Sequence, residues 1–304
     1  MPIRLTLLSA LLFLHATAAV QAQNEHGPTY ATPEQAADDP DYAVQGEYRH
    51  CTTRDGVHVI ALGNGQFRAV KYAGGLPGGG WDRETREEVE GDLAAIEELL
   101  ANHYKTTRKS CTLGACPPRG AIVLFDGTQK SIDAHWQEGA KMDEDGYLMQ
   151  GVTSTDEFKD FTIHLEFRLP YMPEARGQAR GNSGYYLQGR YEIQMLDSFG
   201  LEGLDNECGG IYSVSRPDVN MCFPPLTWQT YDVDFTAARF DEEGNLVKPA
   251  HARVRHNGVV IHNRDLEKGT PGGPRGSIDD TPGPVYLQDH GNPVRYRNIW
   301  VIPR

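Results

Sequence analysis

Long apolar runs are missing from the body of this 304-residue sequence: after its first stretch, nothing approaches the roughly 18 consecutive apolar residues of a membrane-crossing helix. A soluble body without a membrane span is therefore expected. Positive charge is also scarce, with 29 Lys and Arg against 42 Asp and Glu and a formal net charge of -13. No basic patch is visible, and counterion release needs one, so neither nucleic acid nor an anionic membrane is an expected partner. An uncharged or cationic ligand fits better. Cysteine is limited to 5 residues, with neither C-x-x-C nor a His pair at ligand spacing, which argues against a zinc cluster. G-x-S-x-G and a catalytic-cysteine context are absent too, which sets aside nucleophilic acyl transfer. The glycine-rich residues 74–81 lack the closing Lys-Ser or Lys-Thr of a phosphate loop and read as a turn.

What is present begins with Arg4, an apolar run over residues 5–14 and Val20-Gln21-Ala22, small at the two key positions. This pattern predicts a secretory leader over residues 1–22, cut after Ala22, and a periplasmic or secreted protein. No cysteine follows the cut, so lipid anchoring is not expected there. Losing Arg4 with the leader would take the net charge from -13 to -14. Residues 23–41 are polar and rich in Ala, Pro and Asp, and read as a flexible lead-in.

Residues 42–118 read as a small α+β region. Runs over 56–62 and 66–72 flank Gly63-Asn64-Gly65, a hairpin signal. A helix is predicted over 85–104, with Leu93, Ile96, Leu99 and Leu100 on one face behind an acidic first half. Lys105, Arg108 and Lys109 follow, where cations suit the helix dipole. Residues 111–118, with Pro117-Pro118, read as a linker. In an exported chain the cysteines suggest disulfides. Cys111 and Cys116 would close a tight loop, Cys208 and Cys222 bracket residues 209–221, and Cys51 is left over as a buried thiol.

From residue 119 to 304 the pattern is β nearly throughout. Phe161, Ile163, Leu165 and Phe167 alternate with Thr162, His164, Glu166 and Arg168; Tyr231, Val233 and Phe235 alternate with Thr230, Asp232 and Asp234. Asn257-Gly258 is the strongest short hairpin signal. Many short antiparallel strands and almost no helix predict a mainly β two-sheet jelly-roll sandwich. Within residues 181–200, alternation sends Tyr191, Ile193 and Met195 to one face and Glu192 and Gln194 to the other. The expectation is one ligand groove on which Glu192, Gln194, Glu166, His164 and Asp232 converge, with Arg190, Asp197 and Tyr212 from loops. Carboxylates and amides that bond hydroxyls, with aromatics that stack on rings, suit a sugar. A second constellation, Gln288-Asp289-His290 with Arg297, offers a base tunable near neutral pH and a partner for a carboxylate.

Several linked motifs then carry a family resemblance. They are Leu124-Phe125-Asp126-Gly127-Thr128, residues 161–168, Asn182-Ser183-Gly184, residues 189–198, and Gly209-Gly210-Ile211-Tyr212. Trp228-Gln229-Thr230-Tyr231, Leu287-Gln288-Asp289-His290-Gly291 and Arg297-Asn298-Ile299 complete the set. In this order they resemble the 3-keto-disaccharide hydrolase family over roughly residues 120–304. The resemblance implies a concanavalin-like jelly roll in an exported bacterial protein that acts on a small carbohydrate oxidised at C3. A C3 ketone acidifies the C2 proton, so the expected roles are a base (Glu192 or His290), an acid partner (Glu166 or Asp197), and sugar-orienting groups Arg190, Gln194 and Arg297. Two-carboxylate hydrolysis is the other route. Tyr212, Trp228 and Gln288 complete the expected substrate-binding set. A non-catalytic sugar-binding module would use the same face, with Trp228 or Tyr186 stacking on pyranose rings. Acidic ligands with His290 would also suit a divalent cation. Nothing in the sequence speaks to oligomeric state.

Overall fold

The computed structural model describes residues 26–304, so the expected leader over 1–22 lies outside the described residues. Alternation decides the main domain. Phe161–Arg168 turns Phe161, Ile163, Leu165 and Phe167 inward and pairs with Trp228–Thr236, whose Tyr231, Val233 and Phe235 join the same core. A seven-stranded antiparallel sheet forms around them. Its order is Val259–Leu266, Ala250–His256, Trp228–Thr236, Phe161–Arg168, Arg295–Pro303 and Ile122–Phe125, with Leu148–Met149 beside Arg295–Pro303. A four-stranded sheet, in the order Tyr191–Met195, Ser183–Leu187, Gly283–Leu287 and Val152–Phe158, makes the second layer. Its inward Tyr185, Leu187, Tyr191, Ile193 and Met195 meet the first sheet in one core.

This is the predicted two-sheet sandwich of jelly-roll type. Full burial of each such side chain contributes roughly 1.5–3 kcal/mol relative to exposure, and that sum fixes the register. A one-residue slip of Tyr191–Met195 would expose Tyr191, Ile193 and Met195 and drive Glu192 and Gln194 into the core. The turn joining this strand to Ser183–Leu187 needs φ of +54° at Gln188 and +64° at Gly189.

The N-terminal region is a five-stranded antiparallel sheet in the order Arg86–Asp92, Gln66–Tyr72, Gly56–Gly63, Gly46–His50 and His103–Thr106. The 56–72 hairpin forms as expected, turning at Asn64 and Gly65 with φ of +57° and +72°. Three expectations are corrected here. The helix predicted over 85–104 spans only Leu93–Leu100. Its acidic first half is the strand Arg86–Asp92, because Arg68 on the neighbouring strand bonds Glu90 and the sheet edge takes those charges to solvent. Lys105 lies in a strand and donates to Ala43 O at 2.6 Å, while Arg108 pairs with buried Glu47 at 2.5 Å, so neither serves a helix dipole.

The lead-in, expected to be flexible, carries two short helices, Pro33–Ala36 and Pro40–Val44, capped by Thr32 and Asp39. Ala36 is buried and Tyr30 exchanges backbone hydrogen bonds with Tyr171. Residues 111–118 are more than a linker. They strap the outer face of the seven-stranded sheet, with Thr112 donating to Asp232 at 2.7 Å and the Gly114 N–H to Glu166 at 2.5 Å.

All five cysteines are free thiols among the described residues, where disulfides were expected. Cys51 is exposed, not buried, as are Cys111 and Cys116 on the strap. Cys208 and Cys222 are buried, with Cys208 Sγ 3.4 Å from Tyr231 Oη and Cys222 Sγ directed at Leu196 O.

Candidate functional site

The outer face of the four-stranded sheet is where Glu192 and Gln194 emerge. Tyr186 lies directly across from Glu192 and Gly184 from Gln194, so these four positions share one face. The free edge of Tyr191–Met195 is closed by the segment around Gly209, Gly210 and Tyr212, which bonds the backbone of Glu192 and Gln194. Loops then wall a cleft of about 370 Å³. Gln178 and Asn182 come from one side, Pro271 and Gly272 from another, and Tyr212, Gln288 and His290 complete it around Glu192. The volume suits a small sugar.

Glu192 dominates the site's electrostatics. It is 3% exposed, and burial pushes its carboxyl up to about 7, against a smaller opposite pull from the Tyr186 hydroxyl. Tyr186 Oη sits 2.8 Å from Glu192 Oε2 and 2.9 Å from Pro271 O, with Gln288 Nε2 donating to it from 3.2 Å. One hydroxyl proton serves two acceptors. It supports the carboxylate when Glu192 is ionised and turns to Pro271 O when Glu192 holds its own proton. Burial raises the Tyr186 pKa, so this group stays a donor. Gly184 has a steric reason: a Cβ there would collide with the Glu192 carboxylate, which folds across it. Two amide oxygens, Asn182 Oδ1 and Gln288 Oε1, are buried without a partner among the described residues.

Of the residues expected to converge, Glu192, Gln194, Tyr212, Gln288 and His290 line this cleft. Glu166, Arg297 and Trp228 do not; they belong to the other sheet and face the opposite side of the sandwich. Alternation had placed them outward correctly, but each layer has its own outer face. Glu166 is fully buried under the strap, held by Arg297 at 2.6 Å, Asn298 at 2.9 Å and the Gly114 N–H. Burial opposes its ionisation, but His164, Asn298, the Gly114 N–H and Arg297 outweigh it and hold the carboxyl at about 2. His164 sits between Asp232 and Glu166, which raise its pKa against the effect of burial, and stacks on Trp300 at 5.2 Å. Trp228 packs with Arg168 and Arg297 at 5.0 and 4.1 Å from its ring centroid and with Tyr147 at 4.8 Å, on the face of the sandwich away from the cleft.

Glu166→Gln is accordingly expected to act on stability. Thermal denaturation should show a loss on the order of 2 kcal/mol near neutral pH, with Arg297 partly open to screening. Because the folded-state pKa is depressed, wild-type Glu166 contributes its stability above about 4.5 and loses it as pH falls toward 2. Turnover should stay near wild type.

Two further corrections concern charged loop residues. Arg190 is 1% exposed and holds residues 277–281, donating to Ser277 O, Thr281 O and Asp279 Oδ1. Asp197 is the buried counter-ion of Arg180 at 2.7 Å. Neither lines the cleft. Asn182 and Gln178 do: Asn182 opened one of the resemblance motifs without a role being assigned to it, and no pattern singled out Gln178, which lies in the short Gly177–Ala179 helix. Tyr186 was legible by its parity with Gly184. Among the described residues no group of three or more His, Cys, Asp or Glu could hold a metal. Among the described residues the cleft's carboxylate and imidazole donors are Glu192 and His290, and the amide side chains of Gln178, Asn182, Gln194 and Gln288 add oxygens of the kind a hard cation also takes.

Comparison with known proteins agrees with this architecture. A structure of a glycosyl hydrolase-like protein from Parabacteroides distasonis ATCC 8503 is 32% identical, covering 62% of this chain and 85% of that one, with a TM-score of 0.53. A second from the same organism is 19% identical over 61% and 94% of the two chains, at a TM-score of 0.44. No curated protein matches the sequence. The model of the family described as a 3-keto-alpha-glucoside-1,2-lyase-like domain matches residues 120–302, which span both sheets and the whole cleft. By that match the chain belongs to the 3-keto-alpha-glucoside-1,2-lyase-like family and is a glycosyl hydrolase-like, carbohydrate-active protein.

Proposed function

We propose that the protein cleaves glycosides whose sugar carries a ketone at C3, with Glu192 as the base that removes the C2 proton. The observation that carries this reading is a buried carboxyl with a pKa of about 7 facing a sugar-sized cleft. At neutral pH a substantial fraction is ionised and able to accept a proton, and its basicity exceeds that of an ordinary glutamate. The family description supports the choice of a 3-keto substrate.

The C2–H electron pair moves to form the C1–C2 double bond, the proton goes to Glu192, and the C1–O bond breaks. Negative charge developing on the C3 oxygen calls for a nearby donor, and the second N–H of the Gln288 amide, whose first reaches Tyr186 Oη, would supply it. The departing oxygen takes a proton from His290 at the cleft mouth or back from Glu192. Water then adds at C1, a proton returns to C2, and the free 3-keto sugar results. Among the described residues Glu192 is the one carboxylate lining the cleft, which favours elimination and hydration over a paired-carboxylate hydrolysis. A periplasmic or secreted location belongs to the same proposal, on the strength of the pattern over residues 1–22.

Incubation with a 3-keto-glucoside tests the reaction. Release of the aglycone is expected, together with exchange of C2 hydrogen with deuterated water and a slower reaction for the C2-deuterated substrate. Binding without release or exchange would instead make the cleft a sugar-binding module, and neither binding nor release would overturn both readings.

A further inference from the structure

The five-stranded N-terminal sheet lies outside the family match at residues 120–302, yet its contacts converge on the two loops beside the cleft. On the first loop, Arg176 Nη2 donates to Leu62 O at 2.6 Å, and Arg180 Nη1 and Nη2 reach Ala61 O at 3.2 and 3.3 Å. Ala61 and Leu62 belong to Gly56–Gly63 in the N-terminal sheet. On the second loop, Gly200 O accepts from Arg86 at 2.7 Å and Phe199 stacks on His58 at 4.3 Å. Any Cβ at Gly200 would meet Ile60. Arg180, 5% exposed, ties the loops together: its Nε donates to Asp197 Oδ2 at 2.7 Å, and the Asp197 N–H donates to Arg180 O at 3.0 Å.

The first loop carries Asn182 into the cleft. That side chain belongs to a residue 1% exposed, and its Nδ2 donates to Gln178 O at 2.7 Å, which settles the orientation of the amide. Its Oδ1 is left buried and without a donor among the described residues. Such an acceptor is costly unless a ligand supplies the missing hydrogen bond, and a sugar hydroxyl is the donor a cleft of this kind receives.

We propose that Arg180, anchored on the N-terminal sheet, is a positioning residue that holds Asn182 Oδ1 as the acceptor for one substrate hydroxyl. This rests on the reading of the cleft as a sugar site. The N-terminal sheet then shapes specificity although it contributes no residue to the cleft.

Turnover of a 3-keto-glucoside and its 2-, 4- and 6-deoxy analogues by the full chain tests the proposal. Wild-type protein should prefer the parent over one analogue by roughly tenfold or more in kcat/KM, the worth of one desolvated hydrogen bond. Asn182→Ala should abolish that preference. Arg180→Lys keeps a cation beside Asp197 but loses the fork that reaches Ala61 O. It should lower kcat/KM for the parent while leaving the disfavoured analogue within about twofold, and its loss should not add to that of Asn182→Ala. Arg176→Gln, at an exposed position where folding is not at risk, should shift the preference the same way by less.

A merely structural Arg180 would depress all the sugars alike. That outcome, or additive losses in the double variant, overturns the proposal. Equal wild-type turnover of all four sugars overturns it too while leaving the sugar reading intact, whereas wild-type activity on none defeats both.

Discussion

Replacement of Glu192 by Gln is expected to lower kcat on a 3-keto-glucoside by roughly 10²- to 10⁴-fold, the usual worth of a general base. Substrate binding should survive, because Gln keeps the shape and an acceptor oxygen. The pH profile is the sharper readout. Wild-type kcat/KM should rise through a pH near 7, where the Glu192 carboxyl ionises, and that limb should vanish in the variant. Retention of full activity and of the limb would remove Glu192 from the reaction.

The same residue predicts an opposite effect on stability. Its pKa is raised on folding from 4.5 to about 7, so the folded state holds the proton more tightly than the unfolded chain. Wild-type stability should therefore be highest, as far as this group contributes, below about pH 4.5 and fall as pH rises toward 7, by on the order of 3 kcal/mol. Gln does not titrate and escapes that loss. Above pH 7 the inactive variant should melt at a higher temperature than wild type, and equal melting curves at pH 8 would contradict the burial of an ionisable group here.

Asp197→Ala should behave in the reverse manner. Asp197 and Arg180 are both almost wholly inside the protein, and removing the carboxylate strands a buried guanidinium with only backbone carbonyls for partners. Breaking a buried pair from one side costs about 3–5 kcal/mol, or roughly 10 °C in Tm. Replacing both at once, Arg180→Met with Asp197→Leu, should recover much of that loss, since no uncompensated charge remains. Were Asp197 also an acid in the reaction, Asp197→Ala would abolish turnover even at temperatures where the variant is fully folded. Calorimetry beside kinetics separates the two.

Alternation carried most of the architecture, because side-chain parity along a strand is local. Phe161 to Phe167, Tyr231 to Phe235 and Tyr191 to Met195 all face the core as their spacing requires. The Glu192 wall of the cleft was legible for the same reason, as were the turns at Gly65 and Gly258, where left-handed backbone suits glycine. The 85–104 segment shows the limit. An acidic run beside a helical stripe satisfied helix spacing, but pairing with Gln66–Tyr72, a partner chosen by tertiary structure, took the first half into the sheet.

By itself, then, the sequence determined which side of its own strand each residue occupies, and with it the sandwich and the candidacy of Glu192 and Gln194. Tertiary structure alone decided which outward faces coincide. Glu166 and Glu192 both point away from the core, yet they lie on opposite layers, because parity says nothing about which sheet a strand joins. It also decided ionisation: Glu192 is desolvated beside one hydroxyl and sits near 7, while Glu166, though buried, meets His164, Asn298, a backbone N–H and Arg297 and sits near 2. Those environments are built from residues far apart in the chain, and only folding brings them together.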